Sequence, residues 1–228
     1  MIRIENLYKL YGSKLVLENI NCSFEKGRVY GIVGANGAGK TTFFNCLAGL
    51  EDYRGNIEAD LQPLKNHLGF LPTQPYFPSR ITGWEYLKLM CLARKIKTED
   101  FEAKNIFGLP LQQYASTYST GMQKKLALTA ILLQGNEVFI LDEPFNGVDI
   151  QSNMIIMDII LQLKAAGKTI FIASHIFSTL RESCDEILLL KDKNFKPKVL
   201  PEDFVKLDKE MQGEIPPVDI KIFANPTR

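Results

Sequence analysis

Residues 31–45 read GIVGANGAGKTTFFN, and they place four glycines and one lysine between an apolar run and a stretch with helical periodicity. Glycine lets successive backbone N–H groups turn toward a ligand with no Cβ in the way. Val29 to Val33 is a short continuous apolar run, as a strand buried on both faces requires, and residues 40–50 carry helix periodicity up to Gly49. Between them, Gly34 to Thr41 satisfies G-x-x-x-x-G-K-[ST] in its required setting, after a strand and before a helix. The pattern predicts a phosphate-binding loop built on Gly34, Asn36, Gly37, Ala38 and Gly39, with the positive end of the following helix behind it. Lys40 neutralises β- and γ-phosphate oxygens, Thr41 offers a hydroxyl to Mg²⁺, and Thr42 continues into the helix. A nucleoside triphosphate is the expected ligand.

Working outward, residues 2–7 and 15–24 read as two strands joined around Tyr11 and Gly12, an antiparallel edge element. After residue 137 the chain alternates: a strand at 138–141, a helix at about 151–166, a strand at 169–173, a helix near 177–183 and a strand at 187–190. Between them, Thr82 to about Leu133 is mostly helical in pattern, and Pro72, Pro75 and Pro78 make its entrance an irregular loop. The expected fold is therefore α/β. It is a P-loop NTPase core with a mixed, largely parallel sheet, an N-terminal antiparallel β subdomain and a helical subdomain insertion at about 80–133. The expected domain spans residues 1–212, followed by a charged, proline-bearing tail at 213–228 that is loosely ordered.

Two further motifs carry chemistry. VFILDEP, residues 138–144, is an apolar strand ending in two carboxylates. Asp142 is placed to hold the magnesium shell, and Glu143 to orient or deprotonate an attacking water. YSTGMQ, residues 118–123, opens the helix that precedes this strand, with Ser119 as its N-cap.

With the phosphate loop, VFILDEP and YSTGMQ in this order, the sequence resembles the ATP-binding cassette family over roughly residues 1–190. The resemblance implies that Ser119 and Gly121 of one subunit close over the γ-phosphate bound by another. It implies that Tyr11 stacks on adenine, that Asp149 contacts the opposing subunit, and that His175, in TIFIASHI, reaches the γ-phosphate as a catalytic group beside Glu143 and Lys40. His67 has no such setting and reads as structural. In LGFLPTQPYFP the glutamine of the family, a catalytic and metal-binding position, is assigned to Gln74; aligning the following proline puts Thr73 there instead. Thr120 and Met122 depart from the usual Ser-Gly-Gly-Gln signature while keeping the backbone donors.

Composition limits the alternatives. A formal net charge of +1 gives no bulk basic field for nucleic acid, and the four cysteines show no CxxC pairing for zinc. No window approaches the run of about 20 apolar residues of a membrane span. The resemblance thus implies an ATP- and Mg²⁺-dependent ATPase subunit of a transporter, an exporter in family terms, forming a homodimer or heterodimer with another cassette ATPase subunit. It would drive a separate integral-membrane permease from the cytoplasmic face of the cell membrane, with no direct nucleic acid partner. The alternative is a soluble cassette ATPase acting on nucleic acid or ribosomes without a permease. Tyr76 and Phe77 are expected to line a groove for a short helix of the permease, while Trp84 and Leu87 share a buried helix face.

Overall fold

The computed structural model describes residues 1–98 and 100–213, so the expected tail beyond Gly213 lies outside the described residues. In chain order the elements are β1 (Ile2–Tyr11), β2 (Lys14–Phe24), β3 (Val29–Val33), α1 (Lys40–Leu47), β4 (Arg54–Ala59), β5 (Leu68–Leu71), α2 (Gly83–Ala93) and α3 (Thr120–Leu133). They continue as β6 (Val138–Asp142), α4 (Ile150–Ala165), β7 (Thr169–Ala173), α5 (Phe177–Ser183), β8 (Glu186–Lys191), β9 (Asn194–Phe195) and α6 (Phe204–Gly213).

The strands form two sheets. β2, β1 and β4 make an antiparallel sheet of three, and the order β5-β6-β7-β3-β8-β9 makes a sheet of six that is parallel except for β9. Every residue of β3, β6 and β7 is buried, which explains their unbroken apolar runs: helices or the small sheet cover both faces. One core lies between the large sheet and α2 to α6, the other between the large sheet, α1 and the antiparallel sheet. In a parallel sheet all carboxyl ends share one edge. The register pairs Leu71 with Leu141 and Asp142 with Ala173, so the chain leaves β3, β5, β6 and β7 along a common crevice, where α/β sheets bind ligands.

Two expectations are corrected. Among the described residues of 82–133 only α2 and α3 are α-helical; 94–98 and 100–119 are turns and irregular backbone around one short 3-10 turn at Ala115–Thr117. The turn between Arg94 and Lys95, where Lys95 has φ +57°, stops α2, and apolar residues such as Phe101, Leu109 and Leu111 enter the core from irregular backbone. Phe77 does not line an open groove. It is 8% exposed, with its ring 4.6 Å from that of Tyr86, while its neighbour Tyr76 is 82% exposed. Leu87 is fully buried and Trp84 packs edge-on to Phe101 at 5.5 Å, as expected of a shared inner face. Thr82 and Glu85 cap α2 reciprocally. Among the described residues no helix is long and apolar enough to cross a membrane.

Candidate functional site

A cleft of about 560 Å³ opens at the carboxyl edge of the large sheet, lined by Asn36, Gly37, Ala38, Gly39, Lys40, Thr41 and Thr42, with Tyr11 at one end and Asp142, Glu143 and His175 at the other. Gly34 starts the loop. A Cβ there would lie 2.4 Å from the carbonyl oxygen of Leu190, so only glycine fits against β8. Lys40 is buried, and its ammonium donates to the carbonyl oxygens of Gly34 at 2.8 Å and Ala35 at 3.2 Å. Burial pushes its pKa down, against the opposing pull of Glu143 and Asp142.

The acidic centre is assembled from three elements. Asp142, 1% exposed at the end of β6, accepts through one oxygen from Thr41 Oγ1 at 2.7 Å and from Thr73 Oγ1 at 2.8 Å. A carboxylate and two hydroxyls converging from α1, β6 and the loop after β5 form a hard-oxygen donor set of the kind Mg²⁺ accepts. The assignment of Gln74 is corrected by the same geometry. Gln74 is exposed and does not line the cleft, whereas Thr73 does. Leu71 ends β5 inside the core, and the loop after Pro72 turns the Thr73 side chain toward Asp142 and its successor toward solvent.

Glu143 follows in a left-handed backbone conformation, φ +55°, uncommon for a residue with a side chain and a local strain held by its surroundings. Three contacts hold it. Its N–H donates to the Ala173 carbonyl at 2.9 Å, its Oε2 accepts from the His175 N–H at 3.3 Å, and its carbonyl oxygen accepts from the ammonium of Lys124, a fully buried lysine on α3. His175 Nε2 lies 3.1 Å from Glu143 Oε1, close but not aligned as a hydrogen bond. Glu143 is 7% exposed, and burial pushes its pKa up against the lowering effects of His175 and Lys40. A carboxylate so placed is a stronger base than a solvated one.

At the other end, Tyr11 presents a partly exposed ring to the cleft. Lys14, Lys193 and Asn146 also line it, and the sequence reading missed all three. No spacing relative to the phosphate loop marks Lys193; the β8–β9 turn brings it there, with Asp192 and Lys193 at φ +53° and +66°. Asn146 lies only three residues beyond Glu143, so its proximity to VFILDEP was the available signal.

The structure does not bring Ser119 and Gly121 into this cleft. Ser119 is exposed at the start of α3, where its hydroxyl accepts from the Met122 N–H at 3.3 Å. Gly121 is packed on the segment after Glu143: a Cβ there would lie 2.6 Å from the Gly147 carbonyl oxygen. Asp149 caps α4, accepting from the Ser152 N–H at 2.9 Å, the Ser152 hydroxyl at 2.7 Å and the Lys125 ammonium at 3.2 Å. The bonds from Ser152 and then Lys125 hold its pKa well below the usual carboxylate range. The His67 carbonyl accepts the N–H groups of Glu137 and Val138, a purely structural contact.

A family model described as ABC transporter matches residues 17–146. An uncharacterized ABC transporter ATP-binding protein of Methanocaldococcus jannaschii is 33% identical over 201 residues, covering 83% of this chain and 74% of that protein. A bacitracin transport ATP-binding protein of Enterococcus faecalis is 33% identical over 200 residues, covering 82% of this chain and 65% of that one. Among solved structures, a dimeric ATP-binding cassette in a post-hydrolysis state bound to ADP and Pi superposes with a TM-score of 0.79 at 21% identity, over 88% of this chain and 99% of that one. That last likeness is one of fold.

Proposed function

The chain belongs to the ABC transporter family, and from that premise we propose that it is the ATP-binding and ATP-hydrolysing subunit of an exporter, driving a separate membrane permease through ATP-dependent dimer closure. The observation that carries the reading is the convergence of Thr41 and Thr73 on Asp142 beside the buried Glu143, at the mouth of the phosphate loop. Residues 1–212 form the ATPase domain in this reading. The bacitracin relative is named a transport protein, which supports coupling to a permease at the membrane; export rests on family resemblance alone.

The roles follow from position. The loop amides and Lys40 hold the β- and γ-phosphates, and Lys40 exchanges its carbonyl acceptors for phosphate oxygens. Thr41, Thr73 and Asp142 would hold Mg²⁺, which supplies positive charge against the phosphate oxygens when bound. Glu143 takes the proton of a water that attacks the γ-phosphorus, while the bond to the ADP oxygen breaks in line. His175, at the rim, contacts the transferring phosphoryl group. Ser119 and Gly121 serve the second nucleotide site of a head-to-tail dimer, a reading supported by the exposure of Ser119 and by the absence of both residues from this chain's own cleft.

Glu143→Gln keeps the shape of the site and removes the base. ATP affinity should persist while turnover falls about 10²–10⁴-fold, and the variant should accumulate as an ATP-bound dimer in gel filtration. Near-native hydrolysis with only monomer in the presence of ATP overturns both the base and the closure.

A further inference from the structure

The base end of the cleft rests on a lysine that no phosphate-site motif includes. Lys9 and Tyr11 sit two apart on β1 and so share a face. Lys9 is 6% exposed, and its ammonium is used three ways: it donates to Glu51 Oε2 at 2.8 Å and to the Asp52 carbonyl at 2.7 Å, and it stands 4.6 Å from the centroid of the Tyr11 ring. An ammonium has three donors, and the two acceptors and the ring face account for them. Tyr11 lines the cleft while Lys9 does not, so the ring lies between the cation and the ligand space.

Glu51 and Asp52 lie in the turn that follows α1. Gly49 has φ +70°, the Gly49 N–H donates to Cys46 and the Leu50 N–H donates to Asn45 at 2.9 Å, so the turn carrying Glu51 is bonded back onto the helix. The same helix starts at Lys40, in the phosphate loop. One rigid path therefore runs from the phosphate cradle along α1 to Glu51, through Lys9 and into the Tyr11 ring. A cation held against one face of an aromatic ring fixes that ring and leaves the other face for stacking.

We propose that the Lys9–Glu51 pair is a positioning device for base recognition, holding the Tyr11 ring at a fixed distance from the phosphate loop so that a purine base stacks on its open face. The inference rests on the reading of Tyr11 as the base-stacking residue. Lys9 touches no ligand, so its contribution appears only for ligands that carry a base.

The test compares ATP with inorganic tripolyphosphate by calorimetry, each with Mg²⁺, in wild type, Lys9→Met, Tyr11→Ala and the double variant. Lys9→Met should weaken ATP binding about three- to tenfold. It should leave tripolyphosphate within about twofold of wild type and have no further effect in the Tyr11→Ala background. Equal weakening of both ligands, an undiminished Lys9→Met effect without Tyr11, or unchanged ATP affinity each overturns the device. Wild-type ATP affinity in Tyr11→Ala instead overturns the stacking reading beneath it. Glu51→Gln, which keeps the shape but removes the negative charge that holds the lysine, should repeat the ligand selectivity in weaker form; it decides the matter should Lys9→Met not fold.

Discussion

Two loops leave the same sheet edge and meet at Asp142, yet they differ in how they do their work. The phosphate loop follows β3 and presents backbone: glycines, amides and a helix end. The proline loop at 72–78 follows β5 and presents side chains, with Thr73 and Phe77 facing inward and Gln74 and Tyr76 outward. Backbone function demands particular residue types at fixed spacing, so a string of letters reveals it. Side-chain function in an irregular loop depends on which way each residue points. Packing against other elements settles that, and a shift of one residue reverses the assignment.

The sharpest way to break this contrast is at Phe77. Phe77→Ala should destabilise the fold by about 3–5 kcal/mol in denaturant unfolding, the range for truncating a buried phenylalanine. Tyr76→Ala should stay within about 0.5 kcal/mol. Equal effects at both positions would show that the loop does not discriminate inside from outside as described. Next in size, Lys40→Ala should weaken ATP binding by about 10²-fold, since it removes the charge that the phosphate loop directs at the ligand. Wild-type affinity in that variant would mean that the amides suffice. The smallest effect lies at the slipped pair: Thr73→Ala should lower Mg²⁺ affinity of the ATP-bound protein by about tenfold, with Gln74→Ala unchanged. The reverse outcome restores Gln74.

The same distinction explains what the sequence disclosed elsewhere. Val29–Val33 and Thr169–Ala173 were legible to the residue because strands buried on both faces have only apolar side chains to offer. β4, RGNIEA, was not read, since it lies in the small sheet with mostly exposed side chains and no apolar alternation; β5, LGFL, is four residues long and interrupted by glycine. α6 was not read as a helix, since it lies in a charged stretch that starts just after Pro201, although Phe204 and Leu207 anchor it in the core. In the site, Asp142, Glu143, Lys40 and Thr41 were placed by motif. Lys14 and Lys193 arrive through hairpin turns whose spatial neighbours only the folded sheet defines.

Lys124 gives α3 a second identity. Its ammonium grips the carbonyl of Glu143 while the start of the same helix carries the exposed Ser119 cap. Gly121, with no room for a methyl group against Gly147, sets the same helix against the segment after Glu143. One helix therefore ties an exposed serine at its start to the backbone of a buried carboxylate.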